Sequence, residues 1–206
     1  MQDNWLIKLD LRLGDIPTAF TLLTRLPLPV DHAKTGERAA KAAWAYPLVG
    51  AVAGLFAGVI AFTLSSVGVL SDIAAAIAIS ALILFTGALH EDGLSDCADG
   101  LGGGKTVKHR LEIMKDSRIG AFGAAALCAA ILARWSGYNA LITVDWVWAF
   151  IVVGVASRLP MVLVMYVMPL ARPNGMAAAV GQVTTPNAIV ATLLTLILCL
   201  ACVGQL

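Results

Sequence analysis

The hydrophobicity of this chain is gathered into blocks of membrane-spanning length. A transmembrane helix needs roughly 20 mainly apolar residues. Four to five windows approach that length: Trp44–Leu70, Ile73–Leu89, Ile119–Trp135, Val147–Leu170 and Asn187–Val203. Backbone polar groups in lipid must be satisfied within the segment itself, so such blocks are expected to be helices. The predicted class is all-α, a polytopic transmembrane helical bundle in one membrane-embedded domain over residues 1–206. Composition agrees, since 59% of the residues are hydrophobic and 13% are charged, where soluble domains carry about 25% charged residues. Mean hydropathy is +0.85. A net charge of +1 with no basic tail argues against a nucleic-acid partner, which would need a broad basic face.

With so few charges, their placement is informative. Six Lys or Arg residues precede the first window, and Lys105, Lys108, Arg110, Lys115 and Arg118 lie between the second and third. Ser65–Asp72 and Ser136–Asp145 contain none. By the positive-inside rule, the N-terminus and the loop from His90 to Arg118 face the cytoplasm of a cell whose inner membrane the chain crosses several times. The first 43 residues contain no apolar stretch long enough for a signal peptide or a span, and Ile16–Leu28 reads as an interfacial helix. The cysteines Cys97, Cys128, Cys199 and Cys202 lie mostly in apolar stretches, which argues against a disulfide framework.

Two features within the windows concern packing. Gly50, Gly54 and Gly58 recur every four residues, a strip on which another helix can approach closely and which permits self-association. Arg158, near mid-membrane and two residues before Pro160, is costly in lipid and should face a polar cavity, a carboxylate or a phosphate-bearing ligand.

The chemistry concentrates in one stretch, from His90 through Glu91, Asp92, Asp96 and Asp99 to the glycines Gly102, Gly103 and Gly104. Spacings of four and three place Asp92, Asp96 and Asp99 on one helix face. Like charges so close are unfavourable unless something positive sits among them. Hard carboxylate oxygens suit Mg²⁺ or Mn²⁺, which takes substrate phosphates as further ligands and so points to phosphoryl transfer. The rival reading is a solvated acidic helix face. A zinc motif fails because position 94 is Leu, and a P-loop fails because its first glycine would fall at Asp99. Gly102 and Gly103 offer backbone amides to phosphate oxygens.

Thr106–Ile119 has apolar residues at helical spacing and reads as an amphipathic helix on the cytoplasmic surface. Lys115 and Arg118 suit an anionic substrate, with Asp116 or Glu112 completing a metal shell; surface snorkelling is the rival for the lysines.

The motif H-x-D-G-L-x-D-x-x-D-G at His90–Gly100, followed by L-E-I-M-K-D-S-R-I-G at Leu111–Gly120, resembles the cobalamin synthase family, the adenosylcobinamide-GDP ribazoletransferases. Phe20–Pro29, Tyr46–Gly50 and Ser157-Arg158 also match that family, so the resemblance covers nearly the whole chain. It implies a membrane enzyme that joins α-ribazole or its 5′-phosphate to adenosylcobinamide-GDP, releases GMP and requires Mg²⁺. It assigns Asp92, Asp96 and Asp99 to the metal, and Glu112, Lys115, Asp116, Ser117 and Arg118 to the metal shell and the diphosphate. His90 is then a base, an orienting donor, or a satisfied polar residue at the membrane boundary. Family members continue into a G-x-T-G-D-x-L-G-A-like segment, whereas this sequence stops at Leu206; a truncated protein and a short variant are both expected readings. A CDP-alcohol phosphotransferase is a weaker match, because the Ala-Arg pair of its D-G-x-x-A-R motif is absent after Asp92-Gly93. A cation carrier would distribute polar residues through several spans.

Overall fold

The computed structural model describes residues 10–29, 36, 38–143 and 147–204, and the described residues contain helices and no strands. In chain order the helices are α1 (Asp15–Leu23), a 3₁₀ turn (Lys41–Ala45), α2 (Tyr46–Ser66), α3 (Ser71–Thr86) and α4 (Leu89–Gly103). They continue as α5 (Val107–Ile113), α6 (Ala121–Thr143), α7 (Val147–Val167), α8 (Met176–Val180) and α9 (Thr185–Val203). Two compact units emerge, one of Met1–Gly58 with Trp146–Leu206 and the other of Val59–Asp145.

Among the described residues, four segments are long and apolar enough to cross a bilayer: Lys41–Ser66, Ala121–Thr143, Val147–Val167 and Thr185–Val203. The chain is a multi-pass membrane protein. The expected second span differs. α3 has 16 residues, about 24 Å at helical rise, short of a hydrocarbon core of about 30 Å. It reaches crossing length only together with α4, from which it is bent by 89°. The bend has a local cause, because Gly87 and Ala88 both adopt left-handed backbone (φ 67 and 58). Glycine does this freely, whereas alanine does it at a cost of about 1–2 kcal/mol. The third span is longer than its hydropathy window, with α6 carrying on through Ser136, Tyr138 and Asn139 to Thr143.

In the first unit the glycine strip finds its partner within the chain. A side chain at Gly54 would strike the Phe150 backbone carbonyl, and Gly50 and Gly154 face each other's carbonyls. Small residues thus let α2 and α7 pack backbone to backbone. Arg158 is buried on α7 with its Nη1 donating to Ser157 Oγ at 2.7 Å, and its stem lies against Gly50. The N-terminal helix is shorter than expected, and it is held by one fully buried carboxylate. Asp15 accepts from Arg38 Nε (2.6 Å), Arg38 Nη2 (2.9 Å), Trp44 Nε1 (3.0 Å) and the Arg12 amide (3.0 Å). Burial pushes its pKa up, but these donors outweigh burial and hold the carboxyl below its usual value. Asn187 Nδ2 donates to the Lys41 carbonyl at 2.9 Å, tying the start of α9 to the 3₁₀ turn.

In the second unit α3 and α4 both pack on α6. Trp135 Nε1 donates to the Asp72 carbonyl at 2.8 Å. The acidic helix α4 runs antiparallel to α6, since Glu91 near its start meets Arg134 while Asp99 near its end meets Gly120 and Gly123.

Candidate active site

The acidic stretch forms a helix as its spacing requires, and α4 presents Asp92, Asp96 and Asp99 along one face with decreasing exposure. Their side chains nevertheless have different surroundings. Asp92 and Asp96 line a cavity of about 450 Å³ that the Lys115–Arg118 segment also lines. Asp99 is buried and engaged elsewhere, one oxygen accepting from the Gly120 amide and the other from the Gly123 amide, each at 2.8 Å. The first amides of a helix lack intrahelical partners and carry partial positive charge. Asp99 supplies their partner from another helix. A side chain at Gly120 or Gly123 would collide with the Asp99 carboxylate, so Gly123, which sequence reasoning passed over, belongs to this arrangement. The signal was the G-x-x-G spacing at the start of an apolar block.

The second motif lies on a loop. The expected amphipathic helix ends at Ile113 because Asp116 Oδ1 accepts from the Arg118 amide at 3.1 Å, a local turn that competes with helix continuation. Arg118 also makes an ion pair with Asp116, Nη2 to Oδ2 at 2.6 Å. Hydrogen bonding from Arg118 lowers the pKa of Asp116, and Asp116 raises that of Arg118. The turn brings Lys115, Asp116, Ser117 and Arg118 to the same cavity as Asp92 and Asp96. Glu112 is exposed and His90 half-buried, and neither lines this cavity.

The glycine run departs from the expected phosphate cradle. Gly102 and Gly103 belong to the last turn of α4, where amides serve the helix and the negative end of the dipole disfavours phosphate. Its glycines make room instead. Side chains at Gly100, Gly102 and Gly104 would strike Met114, Phe122 and Arg110 respectively. Arg110 Nε donates to the Gly104 carbonyl at 2.9 Å, closing the turn between α4 and α5.

A second pair was also missed. Glu91 Oε1 accepts from Arg134 Nη1 at 2.7 Å, and Glu91 lines the cavity. Four carboxylates (Glu91, Asp92, Asp96, Asp116) thus face two cations (Lys115, Arg118) around one space. Among the described residues no three His, Cys, Asp or Glu side chains stand close enough together to hold an ion, so the five expected carboxylate ligands do not form one cluster. The donor set still suits magnesium, which is commonly held by one or two carboxylates with substrate phosphates and water completing its shell. Asp92 and Asp96, one turn apart on the cavity wall, are such a pair. Arg158 lies in the other unit and lines neither this cavity nor the one beside it.

The family model described as cobalamin-5-phosphate synthase matches residues 15–206. An adenosylcobinamide-GDP ribazoletransferase of Mesorhizobium japonicum is 40% identical over 183 residues, covering 88% of this chain and 70% of that protein. The same enzyme from Bradyrhizobium diazoefficiens is 40% identical over 172 residues (82% and 65%), and that of Brucella ovis 42% over 193 residues (88% and 70%). The matches therefore span about two thirds of these relatives' length. No solved structure matches the chain significantly. The matched family model and these relatives place the chain in the cobalamin-5-phosphate synthase family.

Proposed function

We propose that this chain transfers α-ribazole, or its 5′-phosphate, to adenosylcobinamide-GDP with release of GMP, and that the reaction centre is the cavity between α4 and the Lys115–Arg118 loop. The observation that carries this reading is the meeting of the two motifs around one space of about 450 Å³, a size typical of small-molecule sites. In the reaction a ribose hydroxyl attacks the cobinamide-linked phosphorus of the pyrophosphate. The bond from that phosphorus to the bridging oxygen breaks, GMP leaves with the bridging oxygen, and the hydroxyl proton passes to a base.

The chain's own residues have separable tasks. Lys115 and Arg118 bind the diphosphate, Arg118 exchanging Asp116 for a phosphate oxygen with bidentate geometry. Asp92 and Asp96 would hold a magnesium ion, with Asp116 available as a further ligand. Bound there, magnesium would neutralise charge developing on the attacking and leaving oxygens. Asp99 holds the start of α6 against α4 and so keeps the carboxylate pair facing the loop. The diphosphate is attracted by the loop cations and repelled by Asp92 and Asp96, a repulsion that a divalent cation bound at this pair would offset.

Positive-inside bias puts the Lys105–Arg118 segment on the cytoplasmic side of an inner membrane. Cys97, exposed on α4 and retained as the single cysteine of a variant lacking Cys128, Cys199 and Cys202, then reacts with an impermeant maleimide in inverted vesicles and not in right-side-out ones. The opposite pattern would reverse the topology.

The activity is tested by supplying the purified chain with adenosylcobinamide-GDP, α-ribazole and Mg²⁺ and measuring GMP. GMP formation dependent on both organic substrates is expected. CMP release from a CDP-alcohol, without GMP release, would move the chain to the CDP-alcohol phosphotransferases.

A further inference from the structure

Beside the acidic cavity lies a second of about 510 Å³, lined by Asp99, Ile113, Ala121 and Phe122 and sharing Asp116, Arg118 and Ile119 with the first. The shared residues make the two spaces adjoining compartments. Phe122 is the unusual member. It stands in the first turn of α6, is 57% exposed, and its ring rests on the bare backbone of Gly102, where a Cβ would lie 2.5–2.8 Å from Cγ, Cδ1 and Cδ2. Only glycine at position 102 lets the ring settle there. An aromatic ring fixed against one wall and open toward a cavity is a stacking surface.

We infer that Phe122, seated on Gly102 and flanked by Ile113 and Ile119, stacks on the aromatic base of the nucleoside acceptor, making the second cavity the acceptor subsite. The inference rests on the proposed function and deepens it. That reaction has two organic substrates of unlike chemistry, a charged diphosphate and a nucleoside with a flat bicyclic base. The acidic cavity suits the first with its cation-binding and phosphate-binding groups, and the mainly apolar second cavity, with Ile113, Ala121 and Phe122 in its wall, suits the second. Attack on phosphorus requires the ribose to reach from one to the other. The wall common to both is where it would cross, at Asp116 and Arg118. A volume of about 510 Å³ admits a nucleoside without admitting a corrinoid.

Two measurements on the full chain in detergent micelles test this. The first follows the intrinsic fluorescence of α-ribazole on titration with protein in the absence of adenosylcobinamide-GDP. The second is GMP release at varied concentrations of each substrate. Phe122→Ala should weaken nucleoside binding and raise KM for α-ribazole about 5- to 150-fold, the range of single base–aromatic stacks. KM for adenosylcobinamide-GDP should stay within about twofold. Phe122→Trp should bind as wild type, and Phe122→Leu, which keeps the bulk and guards against misfolding, should behave like alanine. Gly102→Ala, which displaces the ring, should reproduce the loss. Wild-type affinity and KM in both Phe122→Ala and Phe122→Leu would overturn the subsite, as would an equal rise in both KM values, the mark of an interfacial anchor. If the wild type binds nucleoside in a Phe122-dependent manner but releases no GMP, the subsite stands and the proposed reaction falls. If GMP is released with no Phe122 dependence, the reverse holds.

Discussion

Asp96 and Asp99 are three residues apart on one helix face and occupy different environments. The 4-then-3 spacing was enough to place Asp92, Asp96 and Asp99 on a common stripe, and α4 bears that out. It could not show that Asp99 would turn to the amides of Gly120 and Gly123, because that depends on which helix packs alongside. In this account Asp99 acts on stability. Asp99→Ala should lower unfolding free energy by about 0.5–2 kcal/mol, as for loss of a helix cap, measured by thermal unfolding in micelles; unchanged stability would contradict the capping role. A pH effect is expected at Asp15. Its folded pKa is held below the unfolded value because the four donors outweigh burial, so it contributes stability above the unfolded carboxylate pKa of about 3.9. That contribution is lost as pH falls through the folded pKa. Acid titration of tryptophan fluorescence should show Trp44 released below about pH 4, and Asp15→Asn should remove that transition.

At the scale of elements, hydropathy located the membrane helices and erred where backbone or tertiary contacts decide. The block at Ile73–Leu89 reads as a span by composition, yet left-handed Gly87 and Ala88 break it by 89° into α4. The third block ends at Trp135 by hydropathy because Ser136, Gly137 and Asn139 are polar or small, yet α6 runs on to Thr143, with Tyr138 and Ile142 buried. The expected helix over Thr106–Ile119 stops at Ile113 because the Asp116 side chain captures the Arg118 amide; aspartate at such a position was the available clue. The glycine strip was legible as a close-packing surface, but its partner was not. With α7 as that partner, Gly54→Val would drive a branched side chain into the Phe150 carbonyl. A destabilisation of about 1–3 kcal/mol or more is expected, read from the denaturation midpoint in micelles, and a neutral outcome would exclude the contact.

For the whole molecule, the residues carrying the proposed chemistry come from the unit Val59–Asp145, while the buried Asp15 cluster and the glycine contact belong to the other. Family membership rests on residues 15–206 and on relatives of which the chain covers about two thirds. The proposed mechanism has the carboxylate pair and the Lys115–Arg118 loop act together on a diphosphate, with a divalent cation held by the pair. The most direct measurement is the Mg²⁺ dependence of GMP release from adenosylcobinamide-GDP and α-ribazole by wild type, Asp92→Asn, Asp96→Asn and Asp99→Asn proteins with verified membrane insertion. Turnover should fall by about 100-fold or more in the Asp92 and Asp96 variants, with a higher Mg²⁺ requirement for what remains, and far less in Asp99→Asn. Wild-type turnover and Mg²⁺ dependence in Asp92→Asn and Asp96→Asn would contradict the assignment of the reaction centre.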